Sequence, residues 1–482
     1  MLMKIAFFTP LNPVQSGISD YSEELLVTLA GAKVGGRHLQ IDIFIDKGNK
    51  PTNREVIEQF KVLPASDFRR LSTQYDATVY QMGNSAAHAS IYNELMRSPG
   101  VVVMHEFVLH HLRVWMTLNG GKRKEYISMM EQRHGIQGRE AAQRVLLGQF
   151  PESLFEYPLS DEVIRQAKGV IVHSRYMEGL VRQVRPVVPL AVVPMGVPLP
   201  PLIPKDEARA RLGIDPDLFL VTSVGHLNPY KRVSTTLRAF KALLMDVPRS
   251  LYLLVGSRSP NYDPTRQIDM LGLSDKVRFT GYVSPEDFPY YLAASDVCLN
   301  LRYPTAGETS ASLLRIMGAG VPVLVSRTGS FEELPDSAAG KIDIGDIEEE
   351  LLLEYLLLLS KRPDLRDAMS HAAREYVAQN HTLEQAALDY LNFLAPGVEV
   401  ELAPQKAEGR RQEAELVVAG GRRSEVGSQS LVTASTAQNL LLAQVAEVAA
   451  EIGITEEHDI VLRYVSAALE GIVLPLGDNV AG

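Results

Sequence analysis

The sequence predicts an α/β protein of two doubly wound, parallel-sheet domains, followed by a flexible linker and a small C-terminal helical hairpin. Three observations carry that prediction. Short apolar runs rich in Val, Ile and Phe alternate with longer amphipathic ones; the alternation falls into two blocks; and a proline-rich stretch over 186–204 separates the blocks. In the first block, 4–9, 40–45, 77–81, 101–105 and 169–173 read as strands that are apolar on both faces. Such strands fit a sheet covered by helices on each side. The second block offers 190–194, 218–224, 251–255, 277–279, 297–300 and 321–326, with helices such as 234–244 and 311–318 between them. Helical spacing then continues over 347–360, 363–379 and 383–394. The expected domains are 1–190 and 191–380, with 381–395 a helix packing back on the first. No aromatic residue occurs from 396 to 459, and residues 401–430 interleave acidic and basic side chains with glycine. We read 396–435 as a flexible linker. Beyond it, Leu441, Val445, Val448 and Ile452, then Val461, Tyr464, Val465 and Ala468, keep helical spacing. That makes 436–482 a helical hairpin suited to docking on the body or to self-association.

Composition excludes several classes. Of 482 residues, 46% are apolar, enough to bury a core and to exclude a disordered chain. The formal charge of -10 argues against a dedicated nucleic-acid binder. One cysteine, Cys298, excludes an internal disulfide framework and a cysteine-rich zinc site; in its apolar run it reads as a buried structural thiol. No run approaches the ~20 apolar residues that span a bilayer, and the first residues read as a strand rather than a signal segment. The expectation is a reduced, cytoplasmic compartment with no transmembrane segment, which leaves peripheral membrane contact open.

Four loops could carry chemistry, each following a predicted strand. The first is Ser16-Gly17-Ile18-Ser19-Asp20. Gly17 would let backbone approach a ligand at a helix start, where free amides favour anions, and Asp20 with Glu23 reads as the helix cap. The second holds His105 and Glu106, with Gln81, Asn84 and His88 near the end of a neighbouring strand. His105 would stand at the carboxyl edge of the sheet, where ligands of such folds bind. His110 and His111 are adjacent and so do not share one helix face as metal ligands would. The third loop, His226 through Arg232, gathers His226, Lys231 and Arg232 and suggests a polyanion. A lysine ~4 Å from a phosphate gains roughly 4 kcal/mol at an effective dielectric of 20. The fourth is Gly307-Glu308-Thr309-Ser310-Ala311-Ser312, where small residues and hydroxyls expose amides at a helix start, and Thr309 or Ser310 caps it. Asp215-Pro216-Asp217 is better read as a turn than as a metal motif.

Taken together, these segments resemble family 4 of the retaining glycosyltransferases, which have the GT-B fold of two facing Rossmann-like domains. The resemblance covers about residues 3–395. It rests on Gly225-His226-Leu227-Asn228-Pro229-Tyr230-Lys231, on Phe279-Thr280-Gly281-Tyr282-Val283, and on Gly307 through Gly320-Val321-Pro322-Val323. The chain departs from the usual pattern in two places. His226 stands where the family has an arginine, while Lys231 keeps the lysine. Gly307 and Arg315 stand at the two usual glutamate positions, with Glu308 displaced by one residue, in a Gly-Glu-Thr-Ser variant.

The resemblance implies transfer of a sugar from a nucleotide-sugar donor to an acceptor hydroxyl on a glycan, lipid or small molecule, with retention. It implies no cofactor and no metal. The first domain would be the acceptor side and the second the nucleotide-sugar side. His105, Lys231 and Glu308 would be catalytic. Gly17, His226, Tyr282, Thr309, Ser310, Ala311, Ser312 and Arg315 would bind the donor. The alternatives are a GT-B nucleotide-sugar epimerase or phosphorylase, and a non-catalytic nucleotide-sugar-binding scaffold.

Overall fold

The computed structural model describes residues 3–14, 16–149, 152–259 and 262–403. The linker past residue 403, the hairpin expected over 436–482 and its self-association lie outside the described residues.

The strands of the first unit are β1 (Met3–Phe8), β2 (Lys33–Val34), β3 (Arg37–Ile45), β4 (Lys61–Pro64), β5 (Ala77–Met82), β6 (Val101–Met104), β7 (Gly169–Val172) and β8 (Leu190–Val192). Those of the second are β9 (Phe219–Val224), β10 (Ser250–Val255), β11 (Val277–Gly281), β12 (Val297–Asn300), β13 (Val323–Ser326) and β14 (Gly340–Ile342); β15 (Val400–Glu401) follows the last helix. The first sheet runs β15-β2-β3-β1-β5-β6-β7-β8, with β4 also on β3, and the second runs β11-β10-β9-β12-β13-β14. Pairing is parallel except where β2 meets β3 and β15. The mixed α/β architecture with two parallel sheets agrees with the sequence reading.

Burial explains why these runs form inner strands. Along β1, Ile5 and Phe7 enter one apolar cluster while Ala6 and Phe8 enter another, so successive side chains fill opposite faces of the sheet. Phe8 lies 4.9 Å from Phe44, 4.9 Å from Phe68 and 4.8 Å from Tyr80, ring to ring. The helix Leu383–Leu394 returns to the first unit, where the Tyr21 hydroxyl donates to that of Tyr390 at 3.2 Å. Among the described residues no helix is long and apolar enough to cross a membrane.

Three expectations need correction. The run at 190–194 belongs to the first sheet, because β8 pairs in parallel with β7. The expected linker does not begin as unpaired chain: Val400 and Glu401 pair with Val34 and Lys33. The cap of the helix Gly17–Leu29 is Ser16, whose hydroxyl accepts from Ile18 N at 3.2 Å. Glu23 instead accepts from Asn12 N at 2.7 Å and Asn53 Nδ2 at 2.9 Å, and Asp20 accepts from Asn12 Nδ2 at 2.9 Å. These carboxylates tie the helix to neighbouring loops. The turn at 215–217 is as expected, with Asp217 N donating to Asp215 Oδ1 at 2.9 Å. Cys298 is buried, and burial pushes its thiol up to about 12.

Candidate active site

Both sheets place a central strand beside a reversal of strand order, β1 between β3 and β5, and β9 between β10 and β12. In doubly wound sheets the crevice at that point, past the carboxyl ends of the strands, receives ligands. Here the two crevices share one cleft of about 730 Å³. Loops after β1, β5 and β6 line it from the first unit; loops after β9, β10 and β12 line it from the second.

On the first wall, Gly17 opens its helix at the cleft, and a Cβ built there meets nothing within 4 Å. The backbone is therefore open to the cleft. His105 is buried just past β6, and its Nε2 lies 2.6 Å from Gln81 Oε1. A bond to an amide oxygen keeps the proton on Nε2. Burial holds His105 well below the usual imidazole range, and the neighbouring His173 and His88 act in the same direction. Glu106 follows, and burial, with Glu308 nearby, raises its carboxyl to about 8 against the opposing pull of Arg302. His110 is committed elsewhere, with Nδ1 at 2.6 Å from Tyr157 O and Nε2 at 2.6 Å from the Tyr126 hydroxyl.

On the second wall, Asn228 caps the turn Pro229–Lys231, its Oδ1 accepting from Tyr230 N at 3.1 Å. The turn folds Lys231 back over β9, with Nζ 3.5 Å from Val224 O. Gly225 at φ 106° makes room: a Cβ there would lie 3.4 Å from Nζ. Burial lowers the Lys231 ammonium to about 7; Arg302 adds to that and Glu308 opposes it. His226 Nδ1 lies 2.9 Å from Ser257 Oγ. Arg232 does not line the cleft; its Nε donates to the buried Glu348 at 2.8 Å, so its charge is balanced there.

Glu308 sits in a tight frame. It pairs with Arg302, and its Oε2 accepts from Thr305 Oγ1 at 3.1 Å and from Ala306 N at 2.8 Å. Burial pushes its carboxyl up, but Arg302, together with a backbone amide and Thr305, holds it below the usual range. Ser310 caps the helix Ala311–Gly318, accepting from Leu313 N at 3.3 Å, and Ser312 Oγ accepts from Asn300 Nδ2 at 3.2 Å. Thr309 Oγ1 is buried in the cleft wall with no partner among the described residues. Glu308 through Ser312 and Lys231 line the same cleft.

Two expected donor-binding residues lie elsewhere. Tyr282 is 72% exposed and does not line the cleft; it follows the edge strand β11. Arg315 is turned to the first unit, where Nη2 donates to Glu24 Oε1 at 2.5 Å, and it too is outside the cleft lining. Sequence reasoning gave no role to Arg302 or Glu106. Glu106 was signalled by its place beside His105 at a strand end. Nothing local marks Arg302, whose importance comes from charges brought to it by other loops. Among the described residues no group of three or more His, Cys, Asp or Glu is placed to hold a metal ion.

The two facing Rossmann-like domains, with one cleft between the carboxyl edges of their sheets, decide the architecture. It is the GT-B fold. Residues 204–376 match the family model described as glycosyl transferases group 1. Among solved structures, this GT-B chain is similar to sucrose-phosphate synthase from Thermosynechococcus elongatus, with a TM-score of 0.60, 18% identity, and coverage of 80% of this chain and 97% of that one. It is also similar to Anabaena HepE in complex with UDP and glucose, with a TM-score of 0.57, 16% identity, and coverage of 82% and 100%. Among curated proteins, it is 26% identical over 243 residues to the D-inositol 3-phosphate glycosyltransferase of Saccharomonospora viridis, covering 48% of this chain and 56% of that one. It is 24% identical over 226 residues to the alpha-monoglucosyldiacylglycerol synthase of Streptococcus pneumoniae, covering 45% and 50%. The chain thus spans about half the length of these two curated relatives.

Proposed function

We propose that this protein transfers a glycosyl unit from a nucleotide-sugar donor to an acceptor hydroxyl, with retention at the anomeric carbon and without a metal. The observation that carries the reading is the convergence of Lys231 and the amides opening the helix Ala311–Gly318 on one cleft, opposite His105 and Gly17. The match of residues 204–376 to glycosyl transferases group 1 supports it, as do relatives named as glycosyltransferases. Retention rests on the sequence resemblance.

The reaction breaks the bond between the anomeric carbon and the diphosphate oxygen, forms one from that carbon to the acceptor oxygen, and passes the acceptor's hydroxyl proton to the departing diphosphate. Negative charge grows on the departing diphosphate and positive charge on the sugar ring. A site accelerates the step only where it binds that distribution better than the ground state. Lys231 supplies a cation for the diphosphate, with His226 beside it. The amides and hydroxyls of 309–312 supply oriented donors at the positive end of a helix. Glu308 is held ionised by Arg302, so it accepts hydrogen bonds from sugar hydroxyls and faces the developing positive charge. His105, neutral and oriented by Gln81, contacts the sugar from the other domain. Closure of the two domains excludes water, which competes with the acceptor.

The test is donor binding followed by turnover. A thermal-shift screen of nucleotide sugars should find one that stabilises by about 2.7 kcal/mol at 100 times its dissociation constant. With that donor, Lys231→Ala should cut turnover by roughly 10²–10³ while the fold persists. Near-normal transfer by the variant contradicts the assignment.

A further inference from the structure

The second-domain wall of the cleft carries both a lysine and an arginine, Lys231 and Arg302. The fold brings them close. Their strands, β9 and β12, are parallel neighbours. Past the strand ends, Tyr303 N donates to Tyr230 O at 2.9 Å, which ties the two loops together one residue from each cation. Arg302 N donates to Ser326 Oγ at 2.9 Å, at the end of β13, so the start of its loop is fixed. The guanidinium pairs with Glu308 through Nη1, and its Nη2 donates to Ser310 Oγ at 3.2 Å, the cap of the helix Ala311–Gly318. Arg302 thus stands beside the positive end of that helix, and its charge reaches Lys231, whose ammonium it helps to lower.

This arrangement is costly without an anion. A guanidinium, an ammonium and a helix N-terminus repel one another. Glu308 balances one cation, and Glu106, raised to about 8, is uncharged near neutral pH. Glu308 is also held without Arg302, since Thr305 Oγ1 and Ala306 N both donate to its Oε2. The guanidinium has five N–H groups and spends two of them on Glu308 and Ser310; Nε is buried with no partner among the described residues. We infer that Arg302 contacts the donor's diphosphate alongside Lys231, as a second cation meeting the charge that grows there when the bond to the sugar breaks. This rests on the glycosyl-transfer reading above and adds a catalytic residue to the same site. Its planar fork matches two phosphate oxygens, and a guanidinium does not give up its proton in proteins. Lys231, lowered to about 7, is only about half charged at pH 7. Arg302 donates hydrogen bonds and loses no proton in the step. One guanidinium can hold Glu308 by one N–H and a phosphate by others, so the groups that meet the sugar and its leaving group are set by the same side chain.

The experiment titrates the full chain with UDP, GDP and ADP in a calorimeter at pH 6, where Lys231 is charged. These probes carry no sugar, so the contact of Glu308 with the sugar plays no part. Glu308→Gln is the reference, because in that variant Arg302 has no carboxylate to hold. Adding Arg302→Gln to it should weaken binding of the tightest probe by roughly 10- to 100-fold, the scale of hydrogen bonds to a charged group. The double variant leaves no unpaired ion buried, which favours its folding. If Arg302 serves to hold Glu308 and nothing more, the second substitution has no effect. Affinity within about twofold of the Glu308→Gln reference therefore overturns the inference. Arg302→Lys in the wild-type background keeps a charge and loses the fork, and should weaken binding by about tenfold. Wild-type affinity in that variant overturns the inference as well. Failure of all three probes to bind the wild type sinks the glycosyl-transfer reading and this inference together, whereas tight binding that ignores Arg302 sinks the inference alone.

Discussion

Lys231 sits under two opposing pressures. Burial and Arg302 lower its ammonium to about 7, and Glu308 pulls the other way. In the free protein the cation is therefore present below pH 7 and lost above it. A bound diphosphate stabilises the charged form, so binding above pH 7 takes up a proton. Donor affinity should be flat below pH 7 and fall by up to about tenfold per pH unit above it. Glu106, raised to about 8, adds a negative charge to the cleft over the next interval and acts in the same direction. Calorimetry at pH 8 in buffers of different ionisation heat should show proton uptake on donor binding; affinity that stays level from pH 6 to 9 contradicts it. Glu308 is the complementary case. Glu308→Gln keeps the shape but removes the charge that Arg302 balances, leaving a buried guanidinium unpaired. Turnover should fall by roughly 10² in steady-state assays, on the scale of losing one oriented electrostatic group. Transfer at the wild-type rate would remove Glu308 from the mechanism.

At the scale of elements, the two domains are joined by contacts that bring the cleft walls together. Ala306 O accepts from Phe107 N at 2.7 Å and from Val108 N at 3.1 Å, linking the loop after β12 directly to the segment that follows His105. A side chain at Gly307 would press on Phe107, with Cβ atoms 3.0 Å apart, and φ is 85° there. Glycine at this position therefore answers to the domain contact. Glu333 reaches across to the start of the helix Arg175–Val184, accepting from Arg175 N at 3.0 Å and Tyr176 N at 2.6 Å. It completes a cap that Ser174 begins, with Ser174 Oγ accepting from Met177 N at 3.2 Å. Glu333→Ala should cost about 1 kcal/mol of stability, as a lost cap does. It should also weaken closure, which a rise in donor KM would report. A donor KM equal to wild type would separate the cap from closure.

Across the whole molecule, strands were legible because they are buried on both faces, as the alternating clusters along β1 show. β2, β4 and β15 escaped notice because they are short and only partly buried, so they lack the continuous apolar run that marks the inner strands. The placement of β8 was not legible, because membership of a sheet is settled by a hydrogen-bonded partner distant in sequence. The same distinction applies to the site. Gly17, Lys231 and the 308–312 segment were readable because each follows a strand and carries its chemistry within a few residues. Arg302 and Glu106 were not, since their charges acquire meaning only beside Glu308, across loops and domains. The contact of Arg315 with Glu24 was not legible for the same reason, the two lying 291 residues apart.

The account turns on where the donor's phosphates bind, so a crystal structure with a nucleoside diphosphate in the cleft tests it most directly. The prediction is phosphate oxygens at about 2.7–3.0 Å from Lys231 Nζ and from the amides at Ala311 or Ser312, with Nζ drawn away from Val224 O. A nucleotide seated elsewhere, or one that leaves Lys231 folded back on its own strand, would contradict it.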